Sequence, residues 1–126
     1  NGIDGLVSTA AGIAWAEPTR NVTALLGDLA LLHDIGGLRA AAGLANLRYV
    51  VIDNDGGAIF DFLPQATQLD HDTFVRLFTT PHDLQLSVVA AAVPGVRVDV
   101  ERVPRGSAAA AHRRVHAAVA EALGAD

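Results

Sequence analysis

A chain of 126 residues with 9 basic and 14 acidic side chains, formal net charge −5, is enough for one domain and carries no basic stripe for nucleic acid. Cysteine is absent, which excludes a disulfide framework and thiolate zinc sites and suits a reducing cytoplasm, the expected location. No apolar run approaches the roughly 18 residues of a membrane span, and no basic segment leads into an apolar stretch as in a signal peptide.

The chain opens on "NGIDG", turn-type residues with no lead-in, as expected of a piece of a longer protein. Within residues 3–15, Leu6, Val7, Ala10, Ile13 and Ala14 recur at helical spacing, with Asp4 as the expected N-cap and Pro18 ending the pattern. Residues 22–26 are nearly all apolar and read as a strand covered on both faces. Residues 29–47 read as mostly helical, split at Gly36-Gly37 into a short and a longer helix.

Residues 47–52, Leu-Arg-Tyr-Val-Val-Ile, are β-branched and aromatic, the strongest strand signal in the chain. Residues 70–78 read as a helix with Phe74, Leu77 and Phe78 on one face, and residues 84–93 as another, stopped by Pro94-Gly95. Residues 96–103 alternate apolar with charged, the pattern of a half-exposed edge strand. Ser107 is the expected cap of a last helix that runs to Leu123 and closes at Gly124. Alternating strands and helices predict an α/β three-layer sandwich with a mostly parallel sheet.

Two of these strands end in polar chemistry. One runs into Gly27-Asp28, the other into Asp53-Asn54-Asp55-Gly56-Gly57. In an open parallel sheet, ligands bind beyond the carboxyl ends of the strands, at helix N-termini. Asp28 and Asn54 stand 26 residues apart, one helical crossover, so neighbouring strands would bring them to one rim. A carboxylate, an amide and a backbone carbonyl are hard oxygen donors suited to Mg²⁺ or Ca²⁺. Gly27 lets the backbone approach a phosphate, and the Leu29 and Ala30 amides open a helix toward it. Taken alone, Gly-Asp after a strand is most often a turn with an N-cap. The two together point to a metal-bridged diphosphate site.

"GDLALLHDIGGL" followed by "VVIDNDGGAIFDFLP" resembles the thiamin-diphosphate motif. With "GIDGLVSTAAGIA" at residues 2–14 and the tail "AAAAHRRVHAAVAEAL", the chain is most similar to the 2-succinyl-5-enolpyruvyl-6-hydroxy-3-cyclohexene-1-carboxylate synthases of menaquinone biosynthesis. The resemblance implies that residues 1–126 are the C-terminal cofactor-binding domain of such an enzyme. It makes Asp28, Asn54 and the Gly56 carbonyl the ligands of Mg²⁺ or Mn²⁺, and Gly27, Leu29 and Ala30 the lining of the diphosphate. Gly57 belongs to the same loop, Ile3 lies near the thiazolium, and Ile59 sits beside both cofactor and substrate. Ile59, Phe60 and Leu63 are then the substrate pocket; their alternative is ordinary core packing.

The implied reaction decarboxylates 2-oxoglutarate and adds the succinyl-semialdehyde carbanion to isochorismate. A pyrimidine-binding domain, met across a subunit boundary in a homodimer or homotetramer, carries the activating glutamate, so no catalytic residue is expected in this chain, which alone should be inert. The family also has a further strand and helix between Thr80 and Val96, leaving that span short by about twenty residues, a crossover's length.

Two other readings stay open. An acetolactate synthase or an oxo-acid decarboxylase keeps the cofactor and changes the substrate. A non-catalytic phosphate-binding module would need a Gly-X-Gly-X-X-Gly turn or a P-loop, and neither occurs. His33 beside Asp34 reads as structural or surface. His71 and His82 have no partner at metal-ligand spacing, and His112 with His116 shares a helix with Arg113 and Arg114, more in keeping with a solvated face than with zinc.

Overall fold

The strand at Leu47–Asp53 is apolar for most of its length, and the structure builds both of its neighbours and both of its covering layers around it. The computed structural model describes residues 2–103 and 108–124. Three parallel strands, β1 (Val22–Gly27), β2 (Leu47–Asp53) and β3 (Arg97–Arg102), form a sheet in the order β1-β2-β3. The first helical layer holds α1 (Leu6–Ala16), α2 (Asp28–His33) and α3 (Gly37–Ala41). Beyond β2 come a 3₁₀ turn at Ala58–Phe62, then α4 (Gln65–Gln68) and α5 (His71–Phe74), the last continued by a π turn at Val75–Thr79. α6 (Leu86–Ala91) packs on β3, and α7 (Ala108–Leu123) lies across all three strands on the face of Arg48 and Val50.

This is the expected α/β sandwich with a parallel sheet, and β2 is covered on both faces as a central parallel strand should be. β3 is the expected edge strand: Arg97, Asp99 and Glu101 alternate with Val98 and Val100. Arg48 on β2 pairs with Asp99 on β3 and with Glu121 on α7, tying the helix to the strands. Gly124 closes α7 at φ 67°, while the expected cap Ser107 lies outside the described residues.

The core lies mainly under the α1 side of the sheet, where Val7, Ala10, Ala11 and Ala14 meet Leu26, Leu31, Leu38, Tyr49 and Val51. That corrects the expected face of α1: Leu6 and Ile13 are exposed, and the buried stripe is made of small residues. Small side chains let α3 come close; a Cβ on Gly37 would stand 2.5 Å from the Ser8 hydroxyl oxygen. The N-cap also moves by one residue, from Asp4 to Gly5, whose carbonyl takes the Thr9 N–H in a left-handed turn open to glycine.

Other expectations are corrected too. β1 is well covered on one face only: α7 reaches its other face but leaves Thr23 and Leu25 exposed there. The second helix of the crossover is the shorter one, because the backbone turns at Gly43 (φ 85°). Leu77 points to solvent, while Phe74 and Phe78 stack at 5.2 Å between ring centroids. The helix read over residues 84–93 is confined to α6, Leu86–Ala91. In keeping with the short span expected between Thr80 and Val96, no strand lies there among the described residues, so β3 follows and pairs directly with β2.

Two polar devices hold the core in register. Asn46 Nδ2 donates to the carbonyls of Ala14, Glu17 and Arg20, fastening the end of α1 to the start of β2. Tyr49, fully buried, donates its hydroxyl to the Val7 carbonyl at 2.8 Å. Burial, with the Asp34 charge adding to it, pushes the phenol from 10.0 up to about 12. The folded state therefore binds a proton that the unfolded state releases first. Its stability contribution is complete below pH 10 and is lost as pH rises toward 12. Tyr49→Phe should lower stability by about 1 kcal/mol at neutral pH and flatten that alkaline loss, both measurable by denaturant unfolding at stepped pH.

Candidate functional site

Parallel pairing sets Gly27 opposite Ile52, so the residues that leave β1 and β2 emerge side by side at one edge of the sheet. Asp28 is the first residue of α2 and only 2% exposed. Its Oδ2 accepts the Gly56 N–H at 2.8 Å and the Asn54 N–H at 3.2 Å, and lies 3.3 Å from His82 Nε2. Its Oδ1 accepts the Leu29 N–H at 2.7 Å. Asp28 and Asn54 thus share the rim, with Gly56 between them.

The loop after β2 is held from several sides. Asp53, 1% exposed, accepts the Asp55 N–H on Oδ1 and Arg102 Nη1 on Oδ2. Arg102 also reaches Asp55 at 3.3 Å from the end of β3. Asp55 turns the backbone at φ 62°, and Gly56 follows at φ 118°, a conformation open in practice to glycine alone. The Gly57 N–H bonds the Thr79 carbonyl at 2.8 Å, and the Gly56 carbonyl accepts the Ala58 N–H at 3.1 Å, which leaves a second lone pair on that oxygen.

These residues fit a divalent ion with a phosphate group. The donor set is hard oxygen: the Asp28 carboxylate, the Asn54 amide, whose oxygen is closed off from solvent, and the Gly56 carbonyl. Asp28, Asp53 and Asp55 gather negative charge at the rim, and Arg102 offsets part of it. Beside Gly27 a Cβ would meet nothing within 4 Å, so the space where phosphate oxygens would approach is open.

Not every expected residue joins this cluster. The Leu29 N–H turns to the neighbouring Asp28 carboxylate, and Ala30 is buried in the core. Ile3 is exposed ahead of α1. Ile59 is 72% exposed on the 3₁₀ turn directly after the loop, and Phe60 and Leu63 are exposed as well, which corrects the core-packing alternative. The Phe60 ring still rests edge-on against Phe78 at 6.0 Å. His33 is exposed, and Asp34 accepts bonds from the backbone and hydroxyl of Ser8. His112 and His116 stand on the outer side of α7 with their rings 6.3 Å apart, whereas Arg113 and Arg114 border the groove against the sheet.

His82 is the residue that spacing did not reveal. It stands 54 positions from Asp28, yet its ring nitrogen joins Asp28 and Asp53 in a group whose ligand atoms all lie within 4.8 Å of one another. Asp53 and Arg102 were likewise invisible as a pair, since they come from the tips of different strands.

Comparison with known proteins adds to this geometry. The family described as thiamine pyrophosphate enzyme, C-terminal TPP binding domain, matches residues 6–126. A protein of Myxococcus xanthus named 2-succinyl-5-enolpyruvyl-6-hydroxy-3-cyclohexene-1-carboxylate synthase is 49% identical over 105 residues, 82% of this chain and 18% of its own. Proteins of the same name are 51% identical over 72% of this chain in Chloroflexus aurantiacus and 43% identical over 88% of it in Nocardia farcinica. This chain covers 15% of the former and 21% of the latter, so it spans about a fifth or less of these relatives. Among the described residues, no helix is long and apolar enough to cross a membrane.

Proposed function

The chain belongs to the thiamine pyrophosphate enzyme family, as its C-terminal TPP-binding domain, and from that premise we propose that it anchors the cofactor's diphosphate through Mg²⁺ or Mn²⁺ at Asp28, Asn54 and the Gly56 carbonyl. The observation that carries the reading is the convergence of Asn54, Gly56 and Asp28 at one sheet edge, joined by bonds of 2.8 and 3.2 Å. Gly27 leaves the open approach for phosphate oxygens, and exposed Ile3 and Ile59 are offered to the rest of the cofactor. Leu29, Ala30 and Gly57, committed to Asp28, the core and the Thr79 carbonyl, add no donor to the diphosphate.

The enzyme of which this domain forms part is a 2-succinyl-5-enolpyruvyl-6-hydroxy-3-cyclohexene-1-carboxylate synthase, as the names of its relatives support, and the substrates that the sequence resemblance implies for it are 2-oxoglutarate and isochorismate. When bound, the cofactor supplies the carbanion chemistry, and the protein supplies binding, orientation and electrostatics. Asp28 and Asn54 hold the ion, Asp53 and Arg102 hold the loop, and exposed Ile59, Phe60 and Leu63 offer an apolar surface for substrate beside it. The activating glutamate comes from a pyrimidine-binding domain of another subunit in a cytoplasmic homo-oligomer.

Calorimetric titration of the chain with thiamin diphosphate tests this. Binding is expected with Mg²⁺ and is expected to vanish in chelator, with no consumption of 2-oxoglutarate and isochorismate by the chain alone. Equal binding in chelator, or turnover, would contradict the proposal.

A further inference from the structure

Residues 79–84 run beside the loop that follows β2, and three of them contact it or the carboxylates it shares. The Thr79 carbonyl takes the Gly57 N–H, the Asp83 N–H donates to Asp55 Oδ1 at 3.0 Å, and His82 reaches between Asp28 and Asp53 with its side chain 9% exposed. Among the described residues, three non-glycine residues have positive φ: Asp55 at 62°, Thr80 at 40° and Asp83 at 53°. All three lie in the loop or in this strap, so the backbone holds unfavourable conformations where the two meet. Such outliers persist where the surroundings over-determine them, and they concentrate at functional sites.

The orientation of the imidazole follows from its neighbours. Nδ1 accepts the Leu84 N–H at 3.0 Å, so the ring proton sits on Nε2, and Nε2–H points at Asp28 Oδ2 at 3.3 Å with Asp53 Oδ1 3.6 Å away. A protonated Nε2 is a donor and has no lone pair for a cation. The oxygens around it are also occupied: Asp28 Oδ2 takes two backbone N–H groups and Asp53 takes Asp55 N–H and Arg102. The three side chains therefore make a hydrogen-bonded network and not a metal cage.

We infer that His82 is a positioning residue for the ion: its Nε2–H fixes Asp28 Oδ2, so that Oδ1 of the same carboxylate, which accepts only the Leu29 N–H and keeps a second lone pair, is held in the orientation that ligates the cation. The inference rests on the proposed metal role of Asp28. It extends the general pattern in which a ligand is aimed by a hydrogen bond from an outer residue whose loss weakens metal binding about 10–100-fold.

The test is Mn²⁺ binding in the presence of thiamin diphosphate, followed by electron paramagnetic resonance, for the unaltered chain, His82→Ala, His82→Gln and Asp28→Ala, with metal-free thermal melting of each. His82→Ala should weaken Mn²⁺ about 10–100-fold, and His82→Gln, whose side-chain amide can donate from a similar place, should recover most of it. Asp28→Ala should remove the binding. Unchanged affinity in His82→Ala, with Asp28→Ala inactive in binding, would overturn the role of His82 and leave the metal reading standing. Equal loss in the Ala and Gln variants alongside an equal drop in metal-free melting would make the strap a structural brace only, again overturning the inference. Full binding by Asp28→Ala would overturn both.

Discussion

Asp28→Ala should abolish Mg²⁺-dependent binding of thiamin diphosphate, a loss larger than the roughly 10–100-fold that removal of an outer-shell partner brings. The side chain does two things at once. Its carboxylate carries the charge offered to the cation, and its Oδ2 accepts the N–H groups of Asn54 and Gly56 with His82 Nε2 alongside. Removing it strands donors that are buried or half-buried, each costing about 1–3 kcal/mol when left unmade. The loop should therefore loosen, and the fold should lose stability as well. Asp28→Asn separates the two effects: similar in shape, it keeps an oxygen for hydrogen bonds and discards the charge. It is expected to stay closer to the parent in melting temperature while still failing to bind the cofactor through Mg²⁺. Equal cofactor affinity in parent, Asp28→Ala and Asp28→Asn would remove the metal site from the account.

Gly56→Ala should be the most damaging single methyl in the rim. A Cβ there would stand 2.3 Å from the Thr79 carbonyl oxygen and 2.9 Å from that of Thr80, both backbone atoms that cannot rotate away. The residue also sits at φ 118°, where strain for an L side chain costs about 1–3 kcal/mol before any clash. For a domain of this size each kcal/mol lowers the melting temperature by about 3–5 °C, so a fall of several degrees to well over ten is expected. The carbonyl assigned to the ion would shift with the loop, and Mg²⁺-dependent binding should fall with it. Gly27→Ala is the contrast, because its Cβ would meet nothing within 4 Å. Its melting temperature should hardly move, while its cofactor affinity should fall, since the methyl intrudes where phosphate oxygens approach. A Gly56→Ala variant that melts like the parent would show that the loop is softer than this geometry implies.

The legibility of the chain follows the range over which each feature is determined. β2 was readable because Tyr49, Val50 and Val51 carry their own strand signal, and β3 because charge alternates with valine along one edge. The meeting of Asp28 and Asn54 at one sheet edge was readable because parallel strands one crossover apart must end at the same rim. The face of α1 misled because Leu6 and Ile13 outrank alanine in hydrophobicity, whereas close approach of α3 selects the smallest side chains. The open face of β1 depends on what other elements cover, which its own five apolar or small residues do not encode. His82 was hidden because its partners lie 54 and 29 positions away, brought together by a strap with no periodic pattern.

Anomalous diffraction from crystals of this chain grown with Mn²⁺ and thiamin diphosphate tests the central claim most directly. A single manganese peak is expected within coordination distance of Asp28 Oδ1, the Asn54 side-chain oxygen and the Gly56 carbonyl, with the diphosphate completing its shell beside Gly27. A diphosphate bound elsewhere, or a manganese peak seated on Asp53 and His82 with Asn54 turned away, would contradict it.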